Sequence, residues 1–425
     1  MTRQPLRNAA IPLALALTAA LALPTHALAL ARPRLAARVN YAISRSGVSR
    51  TVLGVYVGAV GETDVVVHNN RIKLFMPAST MKLVTSAAAL DRLGAYYRWE
   101  TKVAVDATPT SGGVVVGNLY LIGGGDPTLA TKARKKSLGI PGASYIDDLA
   151  DAVEAAGVKR VTGALVADES FFDSRRIGNG WKTTYLSECA PLSGLTVNKN
   201  LTATKGRVSN PPLTAGTIFQ RLLIDRGILC KQGVKVGVTP KGRIRIGEER
   251  SSPLYVIATA MNRNSDNFLA EMMAKTNGRV VKGAGTTVSG TRVGASELTS
   301  AGVPAAQYRL TDGSGLSRYN KLTPASLVTL ERYAAKKGWG RYFDLSLAIA
   351  GVNGTLADRM RGTAAARVCH GKTGTLSDVS ALSGYVTAKS GTRFAFSVVT
   401  NGADVTKSRA LQDRIAIFLA TWTGR

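Results

Sequence analysis

Histidine is almost missing from this chain: there are three in 425 residues, and only His68 and His370 lie beyond position 30. That scarcity makes a Ser-His-Asp triad or a histidine-rich metal site unattractive, and no metal or organic cofactor is implied. Cysteine is equally rare. Cys189 and Cys230 leave room for one disulfide in an oxidising compartment, which the sequence alone does not establish, and Cys369 is then left over. After the first thirty residues there is no long apolar run, so nothing downstream reads as a spanning helix. Acidic residues are few, 27 against 55 Lys and Arg, and the net charge is +28. Such a charge implies anionic surroundings. Yet no basic stretch is interleaved with aromatics, so nucleic acid is not the expected partner.

What is present begins with a leader. Arg3 and Arg7 precede an apolar run at 9–23, and Thr25-His26-Ala27-Leu28-Ala29 ends in an A-x-A-like site. This is the layout of an export signal cleaved after Ala29. The run is too short for a comfortable spanning helix, and Pro12 and Pro24 interrupt it. Its removal takes away Arg3 and Arg7 and no acid, leaving +26. A secreted or periplasmic protein is expected, with an uncleaved anchor as the alternative.

The length allows more than one sizeable core and more than one domain. Strands at 52–57 and 64–68 read as a hairpin around 58–61, and a helix follows from Ser79. Near 98 the texture changes to strands at 103–105, 114–116 and 119–122, a helix at 145–156, a strand at 163–167 and a helix at 217–226. From about 251, helices return at 255–260, 267–275 and 324–336. Paired strands at 379–387 and 393–400 and a closing helix at 409–421 end the chain. Strands from both ends in one sheet, with helices packed on it, make an α/β domain whose sequence is split.

Three short motifs fall in the order Ser79-Thr80-Met81-Lys82, Ser265-Asp266-Asn267 and Lys372-Thr373-Gly374. On a helix, residues three apart share a face, so Lys82 lies beside the Ser79 hydroxyl. The residues after it (Leu83, Val84, Ala87, Ala88, Ala89, Leu90) are apolar nearly all round, the mark of a buried helix. Burial and the positive helix pole would lower the lysine pKa and favour the neutral amine, the base a serine nucleophile needs. Ser265 is placed to relay protons and Asn267 to hold a substrate amide. Lys372 offers a cation for a substrate carboxylate, Gly374 a close backbone approach to a ligand, and Thr375 an N–H for an oxyanion. Strand alternation turns Thr373 and Cys369 away from the side of Lys372 and puts His370 on it, in a rim or structural role. Taken singly, the motifs also read as a Ser-capped core helix, an Asn/Ser/Asp helix cap and an edge-strand lysine.

In this order the trio is the signature of penicillin-recognising serine enzymes. Further segments carry the resemblance: GGGDPTL at 123–129, PLSGLTVNKN at 191–200, DGSGLSR at 312–318, GVNGTL at 351–356 and KTGTLSDVSALSGY at 372–385. With them the chain is similar to the D-alanyl-D-alanine carboxypeptidases of the penicillin-binding protein 4 type, peptidase family S13. Ser79 and Ser265 lie 186 residues apart, against about sixty in ordinary enzymes of the class, so roughly 120 residues are inserted. The resemblance implies a β-lactamase/transpeptidase-like α/β domain, an antiparallel sheet with helices on both sides, interrupted by an inserted α+β domain. The expected division is a leader at 1–29, the penicillin-binding domain at 30–97 and 251–425, and the insert at 98–250. A third, nested domain is expected to be missing or reduced to a loop after 200.

The resemblance also implies a reaction. Ser79, assisted by Lys82, attacks the penultimate D-alanine of a peptidoglycan stem peptide, and the N–H groups of Ser79 and Thr375 hold the oxyanion. Ser265 and Lys372 relay a proton to the leaving D-alanine, while Thr373, Gly374 and Asn267 bind substrate. Asp126 and Arg318 are expected to read the side-chain end of the stem peptide's diamino acid. DD-endopeptidase activity is expected beside the carboxypeptidase, and β-lactams are the expected inhibitors. Anionic cell-wall polymers suit the charge, including Lys132, Arg134, Lys135 and Lys136 and the set Lys235, Lys241, Arg243 and Arg245, for which a solvated face is the plainer reading. The rival readings are a β-lactamase and a non-catalytic wall-binding protein. For the first, none of Glu271, Glu297 and Glu331 begins the E-x-x-L-N segment that drives deacylation in class A enzymes.

Overall fold

The computed structural model describes residues 25–142 and 144–424. The apolar run at 9–23, on which the leader expectation rests, lies outside the described residues. Among those described, no helix is long and apolar enough to cross a membrane.

The first of two main sheets has six antiparallel strands. Their order is Ala348–Ile349, Cys369–Leu376, Val379–Thr387, Arg393–Asn401, Leu53–Ala59 and Val67–Asn69. Strands from the two ends of the chain therefore lie side by side, with Leu53 opposite Thr400 and Ala59 opposite Phe394. Every residue of Leu53–Ala59 is buried, because helices cover both faces of the sheet. On one face Leu53, Val55 and Val57 meet Leu35, Val39 and Ile43 of the helix Thr25–Ser44 and Leu411 and Ile415 of the helix Val405–Ala420. On the other, Tyr56 joins a core built by the helices Met81–Arg92, Leu254–Asn264, Asn267–Lys282 and Pro324–Ala335.

The second sheet runs Ile244–Arg250, Glu100–Val105, Leu119–Ile122, Leu165–Asp168 and Val234–Val236. It is antiparallel in its first two pairings and parallel in the last two. The helices Ile146–Ala155 and Pro211–Ile224 pack on it through Leu149, Val153, Phe219 and Leu223, against Val103, Leu121 and Leu165. All of this lies in sequence between the helices Met81–Arg92 and Leu254–Asn264. After Asn200 there is only a turn, closed by the pairing of Leu201 with Arg207, before the helix at Pro211.

That helix begins earlier than the 217–226 expected. Asn210 caps it by accepting the Leu213 N–H, and its two prolines sit in the first turn, where a missing N–H costs nothing. The strand expected at 64–68 shrinks to Val67–Asn69. The helix Thr287–Ser300 was hidden by its weak helix formers, TVSGTRVGASELTS. Close packing on Asn267–Lys282 holds it: a Cβ on Gly290 would lie 2.0 Å from the Ala274 carbonyl oxygen, and one on Gly278 would lie 2.7 Å from the Gly290 nitrogen. The Cys189–Cys230 disulfide is not formed. All three thiols are free, and Cys189 belongs to the core with Met81 and Phe268 whereas Cys230 packs on the inserted core.

Gly290→Val should force these two helices apart and remove about 1–3 kcal/mol of stability, read as a lower denaturant midpoint. An unchanged midpoint would mean that the helices do not meet at this contact.

Candidate active site

The chain enters the site through a strained turn. Ala78 has φ +46°, in the left-handed region, and Ser79 lies in a 3-10 turn, Ala78–Thr80, just ahead of the helix Met81–Arg92. Side chains three apart nearly eclipse in a 3-10 turn, so Lys82 still reaches the Ser79 hydroxyl. Met81 through Leu90 are buried, as the apolar run requires. Two glycines pinch the turn in place. A Cβ on Gly315 would lie 1.9 Å from the Ala78 carbonyl oxygen, and one on Gly374 would lie 2.6 Å from that of Pro77. Gly374 therefore admits the nucleophile turn, not a ligand as the sequence suggested.

Lys82 is fully buried, and its Nζ has three partners: Ser79 Oγ at 2.8 Å, Asn267 Oδ1 at 2.7 Å and the Ser314 carbonyl at 2.8 Å. A neutral amine has two N–H donors and one lone pair. It donates to the amide and the carbonyl and accepts the serine O–H. An ammonium donates to all three, so the group is satisfied in either protonation state. Burial brings its pKa down from 10.5 to about 8, against the opposing pull of Asp312, Asp266 and Glu271.

The Ser265-Asp266-Asn267 corner divides its labour. Ser265, at φ +58°, ends the helix Leu254–Asn264, and Asp266 caps the next helix by accepting the Leu269 N–H at 3.0 Å. The helix-cap reading thus holds for Asp266, which leaves Asn267 to meet Lys82 and to donate through Nδ2 to the Glu188 carbonyl at 3.0 Å.

The strand Cys369–Leu376 borders the cleft. Its outer neighbour Ala348–Ile349 pairs only with His370 and Gly371, so beyond Gly371 the sheet supplies no outer partner. Thr373 and Thr375 line the cleft, whereas Lys372 is fully buried on the other side of the strand, with Nζ donating to the Thr373 carbonyl at 2.9 Å. Burial first, then the nearby Lys82, pull the Lys372 pKa well down. Its reading as a cation for a substrate carboxylate is corrected accordingly, and the reading as a solvated edge-strand lysine falls with it. Two guanidinium groups line the cleft: Arg409, whose Nη2 donates to Thr375 Oγ1 at 3.3 Å, and Arg359, which is paired with Asp413. His370 is engaged elsewhere, with Nδ1 2.9 Å from Asp344 Oδ1.

The cleft holds about 730 Å³ and brings together Ser79, Ser265, Asn267, Thr373 and Thr375, with Tyr185 and Glu188 arriving from the inserted segment. Asp126 and Arg318 do not line it. Asp126 is 2% exposed, its carboxylate taken by the Thr128 N–H at 2.7 Å, the Thr128 hydroxyl at 2.6 Å and the Ser144 hydroxyl at 2.6 Å. Arg318 spends its fork on Asp378, at 2.6 and 2.7 Å, which raises the guanidinium pKa further. Sequence reasoning assigned no such role to Glu271 or Asp312, which shape the loop behind Lys82. Glu271 Oε1 accepts the N–H groups of Gly313 at 3.0 Å and Ser314 at 2.8 Å, and Asp312 Oδ1 accepts that of Gly315 at 2.8 Å. These contacts aim the Ser314 carbonyl at Lys82. Burial, then the nearby Asp312, push the Glu271 pKa up. The DGSGLSR stretch was the available signal, since an acid among glycines reads as a tight turn.

Gly374→Ala should push back the Pro77 turn and lower the rate of Ser79 modification by at least about tenfold, with circular dichroism unchanged. A rate equal to that of the parent protein would show that the turn does not depend on this contact.

A model of the D-Ala-D-Ala carboxypeptidase 3 (S13) family matches residues 35–206 and 202–422. The chain is 34% identical over 431 residues to the D-alanyl-D-alanine carboxypeptidase of an Actinomadura species, covering 82% of this chain and 77% of that one. It is 32% identical over 366 residues to carboxypeptidase DacB of Mycolicibacterium smegmatis, covering 82% and 76%. Among solved structures it matches penicillin binding protein 4 from Haemophilus influenzae with a TM-score of 0.74 and 22% identity, covering 86% and 95% of the two chains. That likeness places the fold, and the sequence matches place the lineage. The chain belongs to the D-Ala-D-Ala carboxypeptidase 3 (S13) family.

Proposed function

We propose that this protein is a serine-type D-Ala-D-Ala carboxypeptidase, and a DD-endopeptidase, that cleaves peptidoglycan stem peptides through an acyl-enzyme on Ser79. The observation that carries the reading is the three-way contact of Lys82 with Ser79, Asn267 and Ser314. Neutral Lys82 takes the Ser79 proton as Oγ bonds to the penultimate D-alanine carbonyl. The backbone N–H groups of Ser79 and Thr375 face the developing oxyanion. As the C–N bond breaks, Ser265, backed by Lys372, passes a proton to the leaving amine. Water then hydrolyses the ester. Thr373, Thr375 and Arg409 offer hydroxyls and a cation for the terminal carboxylate.

Residues 98–250 form an inserted domain in this reading, and residues 30–97 and 251–425 the catalytic one. Export with cleavage after Ala29 leaves every packed residue of the first helix from Leu35 onward in the mature chain. Its net charge of +26 then suits a wall rich in anionic polymer. β-Lactams acylate the same serine. Of the glutamates between the second and third motifs, Glu271, Glu297 and Glu331 are buried and none lines the cleft; the glutamate that does, Glu188, comes from the inserted segment.

The mature protein is expected to release D-alanine from a pentapeptide ending in D-Ala-D-Ala and to form a one-to-one penicillin adduct on Ser79. Ser79→Ala, still folded, should do neither. Rapid penicillin hydrolysis without an accumulating adduct would instead identify a β-lactamase, and neither labelling nor release a wall-binding protein. Because only neutral Lys82 accepts the proton, acylation should level off above about pH 8 and fall about tenfold per unit below it. A flat profile between pH 6 and 9 would remove Lys82 as the base.

A further inference from the structure

The inserted segment reaches the catalytic corner through a turn of rare backbone conformation. Asn198, Lys199 and Asn200 have φ of +56°, +55° and +54°, three consecutive left-handed residues with no glycine among them. Asparagine tolerates this region better than most residues, but Lys199 does not, and three in a row depend on their surroundings. Asn198 Oδ1 accepts the Thr131 N–H at 3.0 Å, and the Asn198 N–H donates to the Leu129 carbonyl at 3.0 Å. Asn200 Nδ2 donates to the Pro191 carbonyl at 2.7 Å. The result is to aim Lys199 at Asp266, the middle residue of the catalytic corner. The two form an ion pair whose side chains are both mostly buried.

Asp266 is one of several groups that face Lys82. From the loop at 312–318 comes Asp312, from the helix Asn267–Lys282 comes Glu271, from the inserted segment the Cys189 thiol, and from the edge strand Lys372. The hydrogen bonds to Asp312 and to Glu271 come from neutral donors: backbone N–H groups, Asn320 and Trp181. Asp266, by contrast, carries its own cation.

We propose that Lys199 is a positioning residue for the reaction at Ser79: it ties the inserted segment to the 265–267 corner and offsets the Asp266 charge that Lys82 would otherwise feel. This rests on the reading of Ser79 and Lys82 as nucleophile and base. Without Lys199, the uncompensated Asp266 carboxylate favours the Lys82 ammonium, and a higher pH is needed to free the base. Without Asp266, the uncompensated Lys199 ammonium does the reverse.

The test is the rate of acylation by a fluorescent penicillin between pH 6 and 10, on the full mature protein and on K199M, D266N, K199M/D266N and K199R. The acid limb of K199M should move to higher pH by about half a unit or more, and that of D266N to lower pH. The double variant should return to the parent profile, and K199R should keep it. A merely structural tether would lower rates without opposite shifts. Limbs that stay put, or that move in the same direction in both single variants, would overturn the inference. If K199M does not fold by circular dichroism, D266N against the double variant still gives the sign. Parent protein that forms no adduct on Ser79 would overturn the underlying reading and this inference with it. An adduct on Ser79 with unshifted limbs would overturn this inference alone.

Discussion

Lys82 Nζ stands where three segments distant in sequence converge: the serine turn at 79, the corner at 267 and the carbonyl at 314. The rest of the cleft is arranged around that contact. A lysine in an apolar helix core is costly as a cation, and its amine serves as a base only where it reaches the nucleophile. Here its three partners suit both protonation states, while burial alone supplies the downward pull that three carboxylates oppose. The nearby Lys372, itself buried and pulled down, adds a second amine to the same pocket.

Close backbone approach and left-handed residues are concentrated around this amine. Ala78 precedes the nucleophile in a left-handed conformation, Ser265 turns the corner in one, and the inserted turn at 198–200 places Lys199 through three. Gly315 and Gly374 let the loop and the edge strand press on the serine turn from two sides. The turns at Ala78 and at 198–200 are held by neighbours from other parts of the chain. The site is therefore a product of the assembled fold, and no single segment would keep its geometry alone. The inserted segment takes part directly: the Glu188 carbonyl accepts from Asn267, and Lys199 donates to Asp266.

The chemistry-bearing residues were legible because their types and order are distinctive and because a spacing of three brings Lys82 to Ser79 in either kind of helical turn. The split α/β architecture was legible too, since the segments at both ends of the chain, LGVYVGA and RFAFSVVTN among them, are rich in the apolar and β-branched residues of strands. What lay hidden depends on partners that leave no mark in a sequence. The Ser314 carbonyl is a backbone atom, and Glu271, a helix residue far upstream, orients it. Alternation set Lys372 and Gly374 opposite Thr373, but it could not say which side meets the cleft. Asp126 and Arg318 looked free until their partners were seen: Thr128 and Ser144 for one, and Asp378, sixty positions away, for the other. The helix Thr287–Ser300 escaped notice because its glycines serve packing, whereas local propensity counts them only as a cost.

The most direct test of this account is a side-chain NMR titration of Lys82 in protein carrying isotope-labelled lysine, with the resonance assigned by comparison with Lys82→Arg. A midpoint near 8 is expected, as burial among these partners requires. A midpoint at the ordinary lysine value of about 10.5, in protein that still acylates at neutral pH, would contradict the claim that buried Lys82 is the base.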